Sequence, residues 1–334
     1  MKKVFLLFVF IFALTGYACI AEEYSYENKH KEKNKNFVNS ATRFIFDFDF
    51  DLGFGISVGE AHELVYSAGN IASDLRWPMY PFVFIFANMR FELKQGFNLK
   101  FNSVFSPRIF AGKLTDKDYK YKNGVKKKVG DSIHDAFLLW QYSLGGTVGW
   151  KFNLPQTEYL KSEHTLIFIE PLLGVEYSRQ KWKGIDGHGT YDWYGYKEYS
   201  GTQITYELQR ITTSIGLDLH FVVMPKEVYV KTGFEIMPYY FSNSLDYHIL
   251  RNKRFYDEFK TGGFGLGINT EVKWLFSKYI GLTVGAEYKF MLNKKGMTKT
   301  YSGKILTAVY PKGSAGQTAE YGKMSVGFFV RAKK

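Results

Sequence analysis

Phe44-Ile45-Phe46-Asp47-Phe48-Asp49-Phe50-Asp51-Leu52-Gly53-Phe54-Gly55-Ile56-Ser57-Val58 alternates with a period of two. On an extended strand, Phe44, Phe46, Phe48, Phe50, Leu52, Phe54, Ile56 and Val58 share one face. Asp47, Asp49, Asp51, Gly53, Gly55 and Ser57 share the other, with Ile45 the exception. The run is longer than a usual globular strand. In a membrane barrel the apolar face meets lipid and the polar face lines the lumen.

The pattern recurs nine times, predicting strands near 77–93, 96–110, 134–154, 164–180, 206–223, 227–245, 257–275, 279–292 and 320–331. Connections alternate. Short ones fall at Lys94-Gln95, Pro155 to Glu163, Met224 to Lys226 and Phe276 to Lys278, and long ones at 59–76, 111–133, 181–205, 246–256 and 293–319. An all-β, ten-stranded antiparallel transmembrane barrel follows, with short periplasmic turns and long extracellular loops. Aromatic residues at 19%, 32 Gly and only 8 Pro suit that architecture. Pro81, Pro171 and Pro238 sit badly in hydrogen-bonded strands and leave the local registers open.

Met1-Lys2-Lys3, the apolar run from Val4 to Leu14 and the small residues before Ala21 predict a signal peptide over 1–21. Cys19, the only cysteine, keeps lipoprotein processing as an alternative. Residues 22–41 read as a polar leader and 42–334 as the barrel domain. The net charge is +12, and +10 without Lys2 and Lys3. That balance suits an anionic membrane surface, and an exported barrel would not meet nucleic acid.

The topology sorts the histidines. His164 and His220 fall at the periplasmic end, and His62, His134, His188 and His248 at the outer end. In Ser244-Leu245-Asp246-Tyr247-His248, the acid and imidazole share a strand face, so the carboxylate can orient the ring and raise its basicity. His62 also has an acid, Glu60, two residues before it, but in an expected loop where facing is weak; His188, between two glycines, reads as solvated. Asp116 and Asp118 have the same i, i+2 spacing after the third strand, four strands away in a ring of ten. That places them across the mouth from Asp246 and His248, able to hold a water between like charges. No cluster has convincing metal-ligand spacing, so neither metal nor another cofactor is implied.

Asp-x-Asp after the third strand and Asp-x-His after the seventh resemble the omptin family of outer-membrane proteases. Gly59-Glu60-Ala61-His62-Glu63-Leu64-Val65-Tyr66, Ser73-Asp74-Leu75-Arg76-Trp77 and Lys253-Arg254 are similar to that family as well, and the resemblance runs from about Phe44 to the end. It implies an endopeptidase facing the cell exterior that cleaves polypeptides at or near basic residues. Asp246 and His248 would activate water, Asp116 and Asp118 would hold it, and Glu63 would contact the basic residue before the scissile bond. A buried carboxylate suits that last task through charge-assisted hydrogen bonds. The family also binds lipopolysaccharide on its outer wall, which leaves a lipid requirement for activity open. Arg179 matches one such basic position, and Gln209 stands at another with Arg210 beside it.

Ser244 stands where the family has a second acid. That departure keeps two further readings in play. One is an inactive barrel of the same ancestry serving as an adhesin or structural protein. The other is a lipid hydrolase using Ser242 or Ser244.

Overall fold

The computed structural model describes residues 46–93, 96–153, 167–224, 228–260 and 262–333. The expected signal segment, the leader, residues 42–45 and the expected short connections at 94–95, 155–163 and 225–226 lie outside the described residues.

Thirteen strands follow one another: β1 (Phe46–Ser67), β2 (Asn70–Leu93), β3 (Phe97–Ser106), β4 (Ile109–Lys122), β5 (Val125–Trp150), β6 (Phe152–Asn153), β7 (Ile167–Tyr191), β8 (Gly195–Met224), β9 (Val228–His248), β10 (Lys253–Phe259), β11 (Gly265–Leu275), β12 (Ile280–Ser302) and β13 (Ile305–Lys333). They make ten staves. β3 and β4 both lie between β2 and β5 and form one stave, interrupted at Pro107-Arg108. β10 and β11 both lie between β9 and β12, and β6 continues β5 along β7. Antiparallel pairing of β1 with β13 closes the ring. Closure satisfies the backbone of every stave and leaves no sheet edge in lipid.

The alternation in β1 has the expected sense. Leu52, Phe54 and Ile56 are 50%, 61% and 45% exposed, whereas Asp49, Asp51 and Ser57 are at most 6%. Exposed apolar side chains continue around the ring through Val83 and Ile85, Leu144 and Val148, Leu173 and Val175, Ile211 and Ile215, Phe234 and Ile236, and Phe328 and Val330. This is the band a bilayer covers. Inside it the aspartates are paired: Lys273 Nζ bonds both Asp51 carboxylate oxygens at 3.0 Å, and Arg331 Nε bonds Asp49 at 2.8 Å. Gly53 and Gly55 give the lumen room for Phe86 and Phe84, whose rings a Cβ at either glycine would overlap.

The five long connections are a correction. Residues expected as loops continue as strand far past the band, and the hairpins turn in tips of two to four residues at Ala68-Gly69, Asn123-Gly124, 192–194, 249–252 and Gly303-Lys304. At the first two tips both residues have positive φ, as a two-residue type I′ turn requires. The prolines have a local explanation. The β1–β2 register shifts between Ser57 and Gly59, opposite Pro81, and the β8–β9 register shifts between Thr213 and Ile215, opposite Pro238. Pro171 stays in its ladder opposite Leu217.

Candidate active site

The rim opposite the termini is built on an aromatic floor. Trp77 stacks on Tyr206 at 5.2 Å, and Trp182 closes the group at 6.2 Å from Trp77 and 5.9 Å from Tyr206. All three are fully buried. They are the inward residues of β2, β7 and β8 just beyond the apolar band, and they fix the strands that carry the polar groups above them.

Asp246 and His248, the last inward pair of β9, do share a face: His248 Nε2 lies 2.7 Å from Asp246 Oδ2. Asp246 is 3% exposed, and its second oxygen has no hydrogen-bond partner among the described residues. Burial opposes a charged imidazole, but the charge and hydrogen bond of Asp246 outweigh it, and the pKa of His248 is raised. The hairpin tip at 249–252 sets this geometry. Asn252 takes the left-handed conformation at φ 50°, and its amide donates to the carbonyl of Ile249.

Asp116 and Asp118 lie on β4, opposite Leu75 and Ser73 of β2. They stand on a strand rather than the expected loop. Ser73 Oγ donates to Asp116 Oδ1 at 2.9 Å. Burial, reinforced by the charge of Asp118, pushes Asp116 up to about 7. Burial also raises Asp118. Asp116 senses both His248 and Asp246 electrostatically, so the two pairs lie within reach of each other's charge at the rim.

Glu63, inward on β1, is 3% exposed, and its Oε2 has no hydrogen-bond partner among the described residues. Burial and the charges of Asp246, Asp257 and Asp116 hold its pKa well above the usual carboxylate range. Glu63, Asp116, Asp118 and Asp257 thus converge on one region in which burial makes each hard to ionise. Clustered perturbation of this kind marks chemistry or charged-ligand recognition.

Sequence reasoning missed Ser73 and Asp257. The first was inside a quoted motif, but its partner depended on a strand pairing that a loop reading hides. Asp257 faces Ser244 across the β9–β10 ladder, a register available only by counting back across the tip at 249–252. Two other readings change. Glu60 and His62 do pair, at 2.9 Å, because their segment is strand; His62 also bonds Asp74 at 3.0 Å on the opposite face of β1 from Glu63. Arg210 points inward, 5% exposed and over Tyr240, so it does not serve the outer wall. His188 is exposed, as expected. His134 is buried, donating from Nδ1 to the carbonyl of Asp186 and accepting from Ser132 Oγ at 3.0 Å.

Arg179 lies on the outer wall, bonded to Glu207 and 5.2 Å from the ring of Trp140. Glu170, Asp218 and His220 form a buried acid–imidazole cluster inside the banded part of the barrel. Lys100 reaches both carboxylates at 3.1 Å, so resident cations already neutralise that group.

A closed ten-staved barrel with an apolar outer band and a buried carboxylate–imidazole rim defines the class, an outer-membrane β-barrel with an enzyme-type site. The sequence pattern of the Omptin family matches residues 45–331, and the chain belongs to that family of outer-membrane proteases. Among curated proteins no sequence matches. Among solved structures, the outer membrane protease OmpT from Escherichia coli is similar, with a TM-score of 0.74 at 16% identity over 86% of this chain and 97% of that one. The outer membrane protein OprG from Pseudomonas aeruginosa reaches a TM-score of 0.33 at 8% identity, over 87% of this chain and 98% of that one.

Proposed function

We propose that the chain is an endopeptidase that activates water between the Asp246–His248 pair and the Asp116–Asp118 pair, and cleaves polypeptides beside basic residues. The observation that carries this reading is the 2.7 Å His248–Asp246 bond, both groups of which lie within electrostatic reach of the half-buried Asp116.

With Nε2–H donating to Asp246, the Nδ1 lone pair of His248 is the base. It takes a proton as the oxygen of water adds to the peptide carbonyl carbon. Asp116 and Asp118 orient that water. When the C–N bond breaks, the same proton passes from His248 to the leaving amine, so the ring returns to its neutral form. Glu63 receives the basic side chain next to the bond, supported by its burial and its unpartnered oxygen. The outer end faces the cell exterior, where peptide substrates reach it. Lipopolysaccharide binds the outer wall around Arg179 and Trp140, which combine a cation with an aromatic face.

Quenched fluorescent peptides with paired basic residues test the reading. Parent protein refolded with lipopolysaccharide cleaves them, whereas His248→Ala and Asp116→Asn barrels of unchanged fold do not. Equal cleavage by His248→Ala would remove the dyad from the mechanism. A folded parent that cleaves nothing, with or without lipid, would favour the inactive adhesin or structural reading that Ser244 keeps in play.

A further inference from the structure

Asp257 lies on β10 directly across the ladder from Ser244 and is 3% exposed. Directly opposed residues of an antiparallel pair point to the same face, so this acid enters the rim beside Asp246. Two hydroxyls hold it in place: Thr298 Oγ1 donates to Oδ1 at 2.7 Å and Ser244 Oγ to Oδ2 at 3.3 Å. Each oxygen keeps a free lone pair. Among the described residues no lysine or arginine ion-pairs with Asp257, nor with Glu63, which senses the charge of Asp257. The neighbouring Glu258 is spoken for by Lys260 and Lys299.

Three buried carboxylates, Glu63, Asp246 and Asp257, therefore share one region in which His248 is the only basic ion-pair partner among the described residues. Buried charges of one sign are costly unless a counter-charge completes them. Two oxygens here, Glu63 Oε2 and Asp246 Oδ1, are buried with no partner. Asp246 is engaged by the imidazole, which leaves Glu63 and Asp257 as the pair without a cation.

We infer that Asp257 and Glu63 together form the pocket for the guanidinium or ammonium group of a substrate, and that Asp257 is the specificity-determining acid on the β9–β10 side. The inference rests on the peptidase reading above for its substrate, but the pocket itself is a property of these two carboxylates. Ser244 and Asp257 are reciprocal. Acids directly opposed on two strands repel, so one of the two positions carries the charge and the other a hydroxyl that steadies it.

Two measurements test this on the refolded barrel, its Asp257→Asn variant and the Ser244→Asp/Asp257→Ser exchange. One is calorimetric titration with benzamidine, a guanidinium-like cation. The other is kcat/KM on two peptides differing only in Arg or norleucine before the cleaved bond. Asp257→Asn lowers both benzamidine affinity and the Arg-over-norleucine ratio by about 10- to 100-fold, the scale of a lost charged hydrogen-bonding partner. The exchange restores both. An Asp257→Asn barrel that binds benzamidine as the parent does, or keeps the parent's ratio, overturns the inference, as does a parent that binds no benzamidine. If the parent cleaves neither peptide but binds benzamidine in an Asp257-dependent way, the pocket stands and the peptidase reading falls.

Discussion

In the proposed mechanism His248 reacts in its neutral form, and its pKa lies above the ordinary 6.5 because Asp246 favours the charged ring. The sign follows. The rate holds at alkaline pH and falls as pH drops through that raised value, so the acid limb starts above 6.5. Asp246→Asn removes the charge that raises the pKa. Its residual activity is therefore about 10²- to 10⁴-fold lower, with an acid limb shifted to lower pH. Rates that stay flat down to pH 4 would contradict His248 as the base. Ser73→Ala leaves Asp116 without its hydroxyl donor. The cost is about 1–1.5 kcal/mol, or roughly tenfold in kcat/KM, read on the same peptides. The Asp246–His248 and Asp116–Asp118 pairs were legible because i, i+2 spacing needs only an extended backbone. Ser73 and Asp257 were not, since each acquires its meaning from the residue opposite it on another strand.

The ten staves were visible wherever one face meets lipid, because lipid forces every second residue to be apolar, as in Leu52, Phe54 and Ile56. Past the band the outer face meets water and the inner face mixes packed aromatic, aliphatic and polar side chains, so the alternation fades although the hydrogen-bonded ladder continues. Outward Glu60 and His62 beside inward Ala61 and Glu63 illustrate the loss. Asn123-Gly124 was a readable exception, a two-residue hairpin signal in the middle of what was expected as a loop. The inward acids on these extended strands load the barrel with like charge. Burial and neighbouring charges hold Glu63 far above the usual range, so the folded state retains a proton that the unfolded chain releases. Stability therefore declines as pH rises above the unfolded carboxylate pKa of about 4.3. Glu63→Gln raises the unfolding temperature at pH 8 and leaves it unchanged at pH 4, while lowering cleavage at Arg and Lys more than at neutral sites. Thermal scans at the two pH values, with peptide kinetics alongside, check both halves.

At the scale of the molecule, the apolar band fixes the barrel in a bilayer and lifts the acid-lined rim clear of it. The net charge of +12 sits uneasily with a mouth of carboxylates until the two are separated in space. Lysines and arginines are plentiful elsewhere, on the outer wall and paired in the lumen, whereas among the described residues none ion-pairs with Glu63 or Asp257 at the rim. Arg179 belongs to the wall. Its guanidinium is already engaged by Glu207 and is partly exposed, so Arg179→Ala weakens lipopolysaccharide binding only modestly, by about two- to fivefold. Lipid titration of the refolded barrel reads that change.

The most direct test is cleavage of a mixed peptide library by the parent barrel and its His248→Ala variant, refolded with lipopolysaccharide, with products read by mass spectrometry. The account predicts cuts by the parent alone, concentrated beside Arg and Lys. Cuts that survive in His248→Ala, or a well-folded parent that yields none, would contradict it.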